Sequence, residues 1–258
     1  MQLNLGRNTL INNAMPQGFD IIARIILLPL LLVQCVIVRM RALSLPEATG
    51  PRRGCLGQGP LLRVLMVGDS SAAGVGTDTQ DRALVGHVTK NLAKDHRVEW
   101  VLFAKTGDTT ASTLARLRQL PLADFDLAIV VLGVNDATRF VNLRKWTGLQ
   151  QTLARRLRTE YGAQQVFFSA LPPLGQFPLL PQPLAWVLGA HAIRLDDALN
   201  KRCASDPALH YVPMELDMDI SAMAPDGYHP GPKVYAAWGN TMADFIRRTL
   251  GNPTAPRS

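Results

Sequence analysis

"RVLMVGDSSAAGVG", residues Arg63–Gly76, decides how this chain is read. A continuous apolar run, Val64–Val67, stops abruptly at Gly68-Asp69-Ser70-Ser71 and gives way to small residues and glycines. That is the pattern of a buried strand delivering a loop. The loop is either a phosphate cradle or the seat of a nucleophile. A phosphate loop needs the Walker pattern with its Lys-Ser/Thr pair, and a dinucleotide site needs G-x-G-x-x-G directly after the strand. Neither is present, and Gly74 and Gly76 come too late.

Outward from this stretch, short apolar runs alternate with longer amphipathic segments. Strands are expected at Leu61–Val67, Val98–Ala104, Leu127–Leu132, Gln165–Ala170 and His210–Val212. Helices are expected at Asp81–Lys94, Thr109–Gln119, Val141–Tyr161, Leu184–Cys203 and Pro232–Leu250. Alternation of this kind predicts an α/β fold, a central parallel sheet covered by helices on both faces. The inner strands are apolar without alternation, as a sheet covered on both sides requires.

In such a sheet the ligand crevice lies beyond the carboxyl ends of the strands. The residues at those ends carry chemistry. Ser70 follows the first strand, where a sharp turn exposes its hydroxyl as a nucleophile. Near the C-terminus "APDGYHPGP" sets Asp226 three residues before His229, with Gly227 between them. One turn brings that carboxylate to the imidazole, fixing its tautomer and stabilising the imidazolium that forms as Ser70 gives up its proton. For the oxyanion, the Ser70 and Gly107 N–H groups and the Asn135 side-chain amide are the candidate donors. Taken singly, these are an ordinary turn serine, a helix-capping asparagine and a solvated histidine. Together, each at a strand end, they describe acyl transfer. Asp69 and Asp136, beside the key residues, are expected to brace the loops through backbone hydrogen bonds.

Four blocks, "VGDSSAAGVG", "AKTGDTTAST", "LGVNDAT" and "DGYHP", resemble those of the SGNH hydrolases, or GDSL esterases and lipases. They contribute Ser70, Gly107, Asn135, and Asp226 with His229. Ser71 stands where the family usually has Leu. The "TGDTT" and "DGYHP" stretches are most similar to the arylesterase and lysophospholipase/thioesterase branch, and the likeness spans residues 61–250. It implies a flavodoxin-like three-layer α/β/α sandwich and ester hydrolysis through an acyl-serine intermediate, without metal or other cofactor.

The chain has 258 residues, 47% hydrophobic and 18% charged, which suits one ordinary domain plus an appendage. Its formal charge of +7 is concentrated early: residues 1–55 hold six arginines against Asp20 and Glu47. A basic stripe on the folded domain is therefore lacking, and no nucleic-acid partner is expected. Cys35, Cys55 and Cys203 are odd in number and widely spaced, which suggests neither a disulfide framework nor a zinc site.

Residues 21–38, "IIARIILLPLLLVQCVIV", are interrupted by Arg24, Pro29 and Gln34. As a helix this run reaches roughly 27 Å against a hydrocarbon core of about 30 Å. A signal peptide, an uncleaved signal anchor and an interfacial helix are the alternatives. The arginines after the run argue against cleavage, so membrane association through this helix and a cell-envelope location are the expectation. Met1 and Met15 are both possible starts. The expected organisation is an N-terminal segment at 1–41, a Gly- and Pro-rich linker at 42–60, the hydrolase domain at 61–251 and a tail at 252–258. The expected substrates are small-molecule or lipid acyl esters of short to medium chain, with lysophospholipids or thioesters as variants. An O-deacetylase of envelope polysaccharide and a non-enzymatic membrane-tethered binding module are the alternatives. From Leu171 to Gly189, "LPPLGQFPLLPQPLAWVLG" is expected either to wall the acyl pocket or to pack as a core crossover.

Overall fold

The computed structural model describes residues 17–214 and 222–251; the expected tail and both possible starts lie outside them. Among the described residues six strands form one sheet: β1 (Arg53–Leu56), β2 (Leu61–Gly68), β3 (Arg97–Ala104), β4 (Leu127–Val131), β5 (Gln165–Ser169) and β6 (Leu209–Val212). Their order across the sheet is β1-β3-β2-β4-β5-β6. Strands β2 to β6 pair in parallel, as the alternation predicts, with Gly68 beside Ala104 on one side and Val131 on the other.

The helices are α1 (Gln17–Arg41), α2 (Leu84–Leu92), α3 (Thr110–Leu117), α4 (Val134–Thr138), α5 (Leu143–Thr159), α6 (Leu184–Cys203) and α7 (Pro232–Gly251). Because successive side chains on a strand point to opposite faces, β2 feeds two cores. Leu65 and Val67 pack with Trp146, Leu153 and Leu195 from α5 and α6. Val64 and Met66 pack with Leu84, Val88, Trp238 and Met242 from α2 and α7. These are the two outer layers of an α/β/α sandwich.

Helix boundaries follow local chemistry. Thr109 caps α3 by accepting from the Ser112 N–H, while Ser112 returns a bond to the Thr109 N–H. Asn142 caps α5 through the Arg144 and Lys145 N–H groups, and α7 opens on Pro232, whose missing N–H costs nothing there.

Residues 42–60, which composition marks as a linker, carry a strand. β1 runs antiparallel to β3, with Gly54 opposite Trp100. The indole lies over the glycine, where a Cβ would come within 2.9 Å of Nε1. The glycine that makes the segment look like a linker is what lets it join the sheet.

Membrane association through α1 is not supported. Among the described residues, no helix is long and apolar enough to cross a membrane. Where its side chains are described, α1 docks on the domain along one side, while Ile26, Leu28, Leu32, Val33, Val36 and Met40 are exposed. Gln34 is buried; its Nε2 donates to the Gln182 carbonyl at 2.7 Å and its Oε1 accepts from the Leu184 N–H at 3.1 Å. Leu31 joins the core beside it. The polar interruption in the apolar run is thus the residue that fastens the helix, because a buried amide must find partners.

Candidate active site

Ser70 stands just past the C-terminal end of β2, on a turn closed by the Ala73 N–H to the Asp69 carbonyl (2.9 Å) and the Val75 N–H to the Ser70 carbonyl (3.0 Å). The loop carrying His229 is a tight reversal. The Ala224 N–H donates to the His229 carbonyl at 2.9 Å, and the Gly231 N–H to the Ala222 carbonyl at 3.0 Å. Gly76 joins the two loops: at φ +100°, a Cβ there would sit 2.2 Å from the Pro230 carbonyl oxygen. Tyr235 of α7 adds a buried 2.6 Å bond to the Val75 carbonyl.

The result is a line of three groups. His229 Nε2 lies 2.9 Å from Ser70 Oγ, and His229 Nδ1 lies 2.5 Å from Asp226 Oδ2. The other carboxylate oxygen, Oδ1, accepts from the Tyr228 and His229 N–H groups, both at 3.0 Å. Burial pushes the Asp226 carboxyl up, but the bonds from the imidazole and those two N–H groups together hold it below the usual carboxylate range. It is therefore ionised at neutral pH. With the carboxylate accepting at Nδ1, Nε2 presents its lone pair to the hydroxyl. The set can take a proton from Ser70 and return it to a leaving group.

Of the candidate oxyanion donors, Asn135 is the one with a contact to the serine's neighbour, Asp69. The Ser70 and Gly107 N–H groups donate to no other group among the described residues. Asn135, in the first turn of α4, donates from Nδ2 to the Asp108 carbonyl at 3.0 Å and contacts Asp69 Oδ2 at 3.4 Å. Gly107 sits at φ +82°, a conformation that glycine adopts without strain. Asp69 accepts from the Ser71 N–H at 3.0 Å. Asp136 accepts from the Thr110 N–H and hydroxyl at 3.0 and 2.9 Å. Both brace loops, as the sequence predicts. Gln150, buried on α5, donates to the same Thr110 hydroxyl at 3.0 Å, a support that nothing in the sequence singles out.

Beside Ser70 and His229 lies a cleft partly open to solvent. Leu132, Leu171, Phe177, Met214, Val234 and Trp238 are among its walls; Gly107 and Asn135 are not. The 171–189 segment does both things expected of it. Leu171, Pro172 and Phe177 wall the cleft, while Leu180, Leu184 and Leu188 pack in the core. Trp238 donates to Ser169 Oγ at 3.1 Å, leaving no unpaired indole N–H in the cleft.

Asp69 is fully enclosed, and burial pushes its carboxyl up to about 7, opposed by the Ser71 N–H and the nearby His229. In the unfolded chain it titrates near 3.8, so the folded protein holds the proton more tightly. The associated stability is complete below about pH 4 and is lost as pH rises through about 7. Against Asp69→Asn, wild type is expected to lose stability across that window, with a steepest slope of about 1.4 kcal/mol per pH unit. Paired urea titrations from pH 4 to 8 test this; parallel curves would refute it.

A serine, an imidazole and a carboxylate joined in one line at the strand ends of an α/β/α sheet form the arrangement of hydrolases that work through an acyl-enzyme. Residues 66–237 match the GDSL-like lipase/acylhydrolase family, and the chain belongs to it. It is a carboxylic-ester hydrolase. No curated protein matches the sequence at a significant level. Among solved structures, it is similar to a carbohydrate esterase family 2 enzyme with a carbohydrate-binding domain from Corynascus thermopiles (Myceliophthora fergusii). That likeness has a TM-score of 0.61 and 16% identity, covering 80% of this chain and 69% of that one. It is also similar to the psychrotrophic esterase EstA from Pseudoalteromonas sp., at TM-score 0.57 and 20% identity over 74% of this chain and 99% of that one. TesA aligns at TM-score 0.56 and 22% identity, over 73% and 99% respectively. At these identities the likeness is one of fold.

Proposed function

We propose that the chain hydrolyses short- to medium-chain acyl esters through an acyl-serine intermediate, with Ser70 as nucleophile, His229 as base and Asp226 as the group that orients it. The observation that carries this reading is the 2.9 Å approach of His229 Nε2 to Ser70 Oγ at the mouth of an apolar cleft. Ser70 Oγ bonds to the acyl carbon as its proton passes to Nε2. The carbonyl oxygen, now negative, takes hydrogen bonds from the Ser70 and Gly107 N–H groups and from Asn135. For Asn135, the 3.4 Å contact with Asp69 is the weaker of its two and the one that yields. Collapse expels the alkoxide, which takes the proton back from His229. A water then repeats the sequence, releasing the carboxylic acid and restoring Ser70. Each oxyanion donor is worth about 2.7–4 kcal/mol in chemistry of this kind.

The cleft supports an acyl group longer than acetyl, because its apolar walls gain about 0.8 kcal/mol for each methylene buried. A series of activated aryl esters from acetyl to dodecanoyl is expected to show kcat/KM rising several-fold per step to an optimum between butyryl and octanoyl. Lysophospholipids and acyl thioesters then extend the series. Activity confined to acetyl esters would overturn the chain-length reading and favour an O-deacetylase.

A further inference from the structure

The segment before β1 reaches both loops that flank Ser70. Ala48 donates its N–H to the Ala73 carbonyl at 3.2 Å, and the buried Gln80 side chain donates to the carbonyls of Ala48 and Ala73, both at 3.0 Å. The Gln80 N–H returns to the Thr49 carbonyl at 2.8 Å. These bonds tie residues 48–49 to the loop after the serine. One residue earlier the chain reaches the other loop. Glu47 Oε1 accepts from the Thr106 N–H at 2.7 Å and from the Thr106 hydroxyl at 2.8 Å. Its Oε2 pairs with Arg52, which also donates to the Ala104 carbonyl at 2.7 Å, at the end of β3.

Gly107 follows Thr106 directly. Its turn is held on one side by Glu47 and on the other by Arg139, which donates to the Gly107 carbonyl at 3.1 Å. The turn is closed by the Asp108 N–H to the Lys105 carbonyl at 3.2 Å, and the hydrogen bonds to Glu47 and from Arg139 and Asn135 hold it on either side. Burial raises the Glu47 carboxyl, but the two bonds from Thr106 and the charge of Arg52 bring it below its ordinary range. It is thus a carboxylate at neutral pH, and the bonds it accepts are charge-assisted.

We propose that Glu47 is a positioning residue for ester hydrolysis, holding the Thr106–Gly107 turn so that the Gly107 N–H faces the developing oxyanion. This rests on the proposed acyl-serine mechanism at Ser70, with Gly107 as one of its oxyanion donors. A donor's value depends on its being aimed before the reaction, so loosening the turn lowers kcat without weakening acyl binding.

The test uses the full chain with Glu47→Ala and Glu47→Gln, reading kcat, KM, thermal midpoint and the rate of labelling by a fluorophosphonate. Glu47→Ala is expected to lower kcat about tenfold with KM within about twofold. Glu47→Gln keeps a carbonyl for the Thr106 N–H but turns an amide toward Arg52, and is expected to lose about threefold. Labelling slows in parallel, and the midpoint of Glu47→Gln stays near wild type. A kcat for Glu47→Ala within twofold of wild type would overturn the proposal. So would losses that track the thermal midpoint and move KM equally. If Glu47→Ala does not fold, Glu47→Gln decides, and an unchanged kcat overturns the proposal. Failure of the underlying reading shows separately: Ser70→Ala would then still label, whatever the Glu47 variants do.

Discussion

Ser70→Ala is expected to lower kcat by about 10⁵–10⁶-fold and to abolish fluorophosphonate labelling, with the fold intact. The loss is large because nucleophile and base act as one unit: without the hydroxyl, the imidazole has no proton to take and no acyl-enzyme forms. What survives is the oxyanion site and substrate binding. The fold is unaffected because Ser70 Oγ makes its one described hydrogen bond to His229, and the turn around it is held by backbone bonds. Ser71 is the informative control, since it also borders the cleft and carries the same hydroxyl. Ser71→Ala is expected to stay within a few-fold of wild type. Labelling that survives Ser70→Ala and disappears with Ser71→Ala would move the nucleophile by one residue.

Asp226→Asn is expected to cost about 10⁴-fold in kcat with little change in KM. An amide is nearly isosteric with the carboxylate, and in an open site it would rotate to offer its oxygen to the imidazole. This site forbids that rotation. Oδ1 already accepts from the Tyr228 and His229 N–H groups at 3.0 Å, so the oxygen of the asparagine stays there and its NH₂ faces His229 Nδ1. Nδ1 then becomes the acceptor and Nε2 carries the hydrogen, pointing a donor at Ser70 where a base is needed. Steady-state kinetics at neutral pH decide the matter. A loss smaller than tenfold would mean that Asp226 does not set the tautomer.

How much of this was legible in the sequence varies by residue for physical reasons. The central strands β2 and β4 read clearly because strands covered on both faces are apolar without a break, and Leu127–Val131 is buried at every position; β3 alternates in burial and β6 carries His210, so these two rest on their apolar residues and flanking turns. Ser70, Asp226 and His229, which the structure joins in one line of hydrogen bonds, stand out in the sequence because Gly68, Gly227 and Pro230 near them mark loops. The strand β1 did not, since a glycine chosen to lie under Trp100 looks the same as one chosen for flexibility. Glu47 was invisible: besides Arg52 its partners are the N–H and hydroxyl of Thr106, 59 residues away, and no local pattern links two positions so far apart. The apolar run at 21–38 suggested a membrane because hydropathy counts every apolar side chain alike, whether buried like Leu31 or exposed like Ile26, Leu32 and Val36, and it gives no sign of the two partners of Gln34.

The bond between Ser70 and His229 spans 159 residues of chain. Synthesis runs from N- to C-terminus, so strand β2 with its serine is made long before the histidine that, in the proposed mechanism, activates it. A chain interrupted between the two would hold the serine without its base, and the proposed chemistry waits on the loop that carries His229.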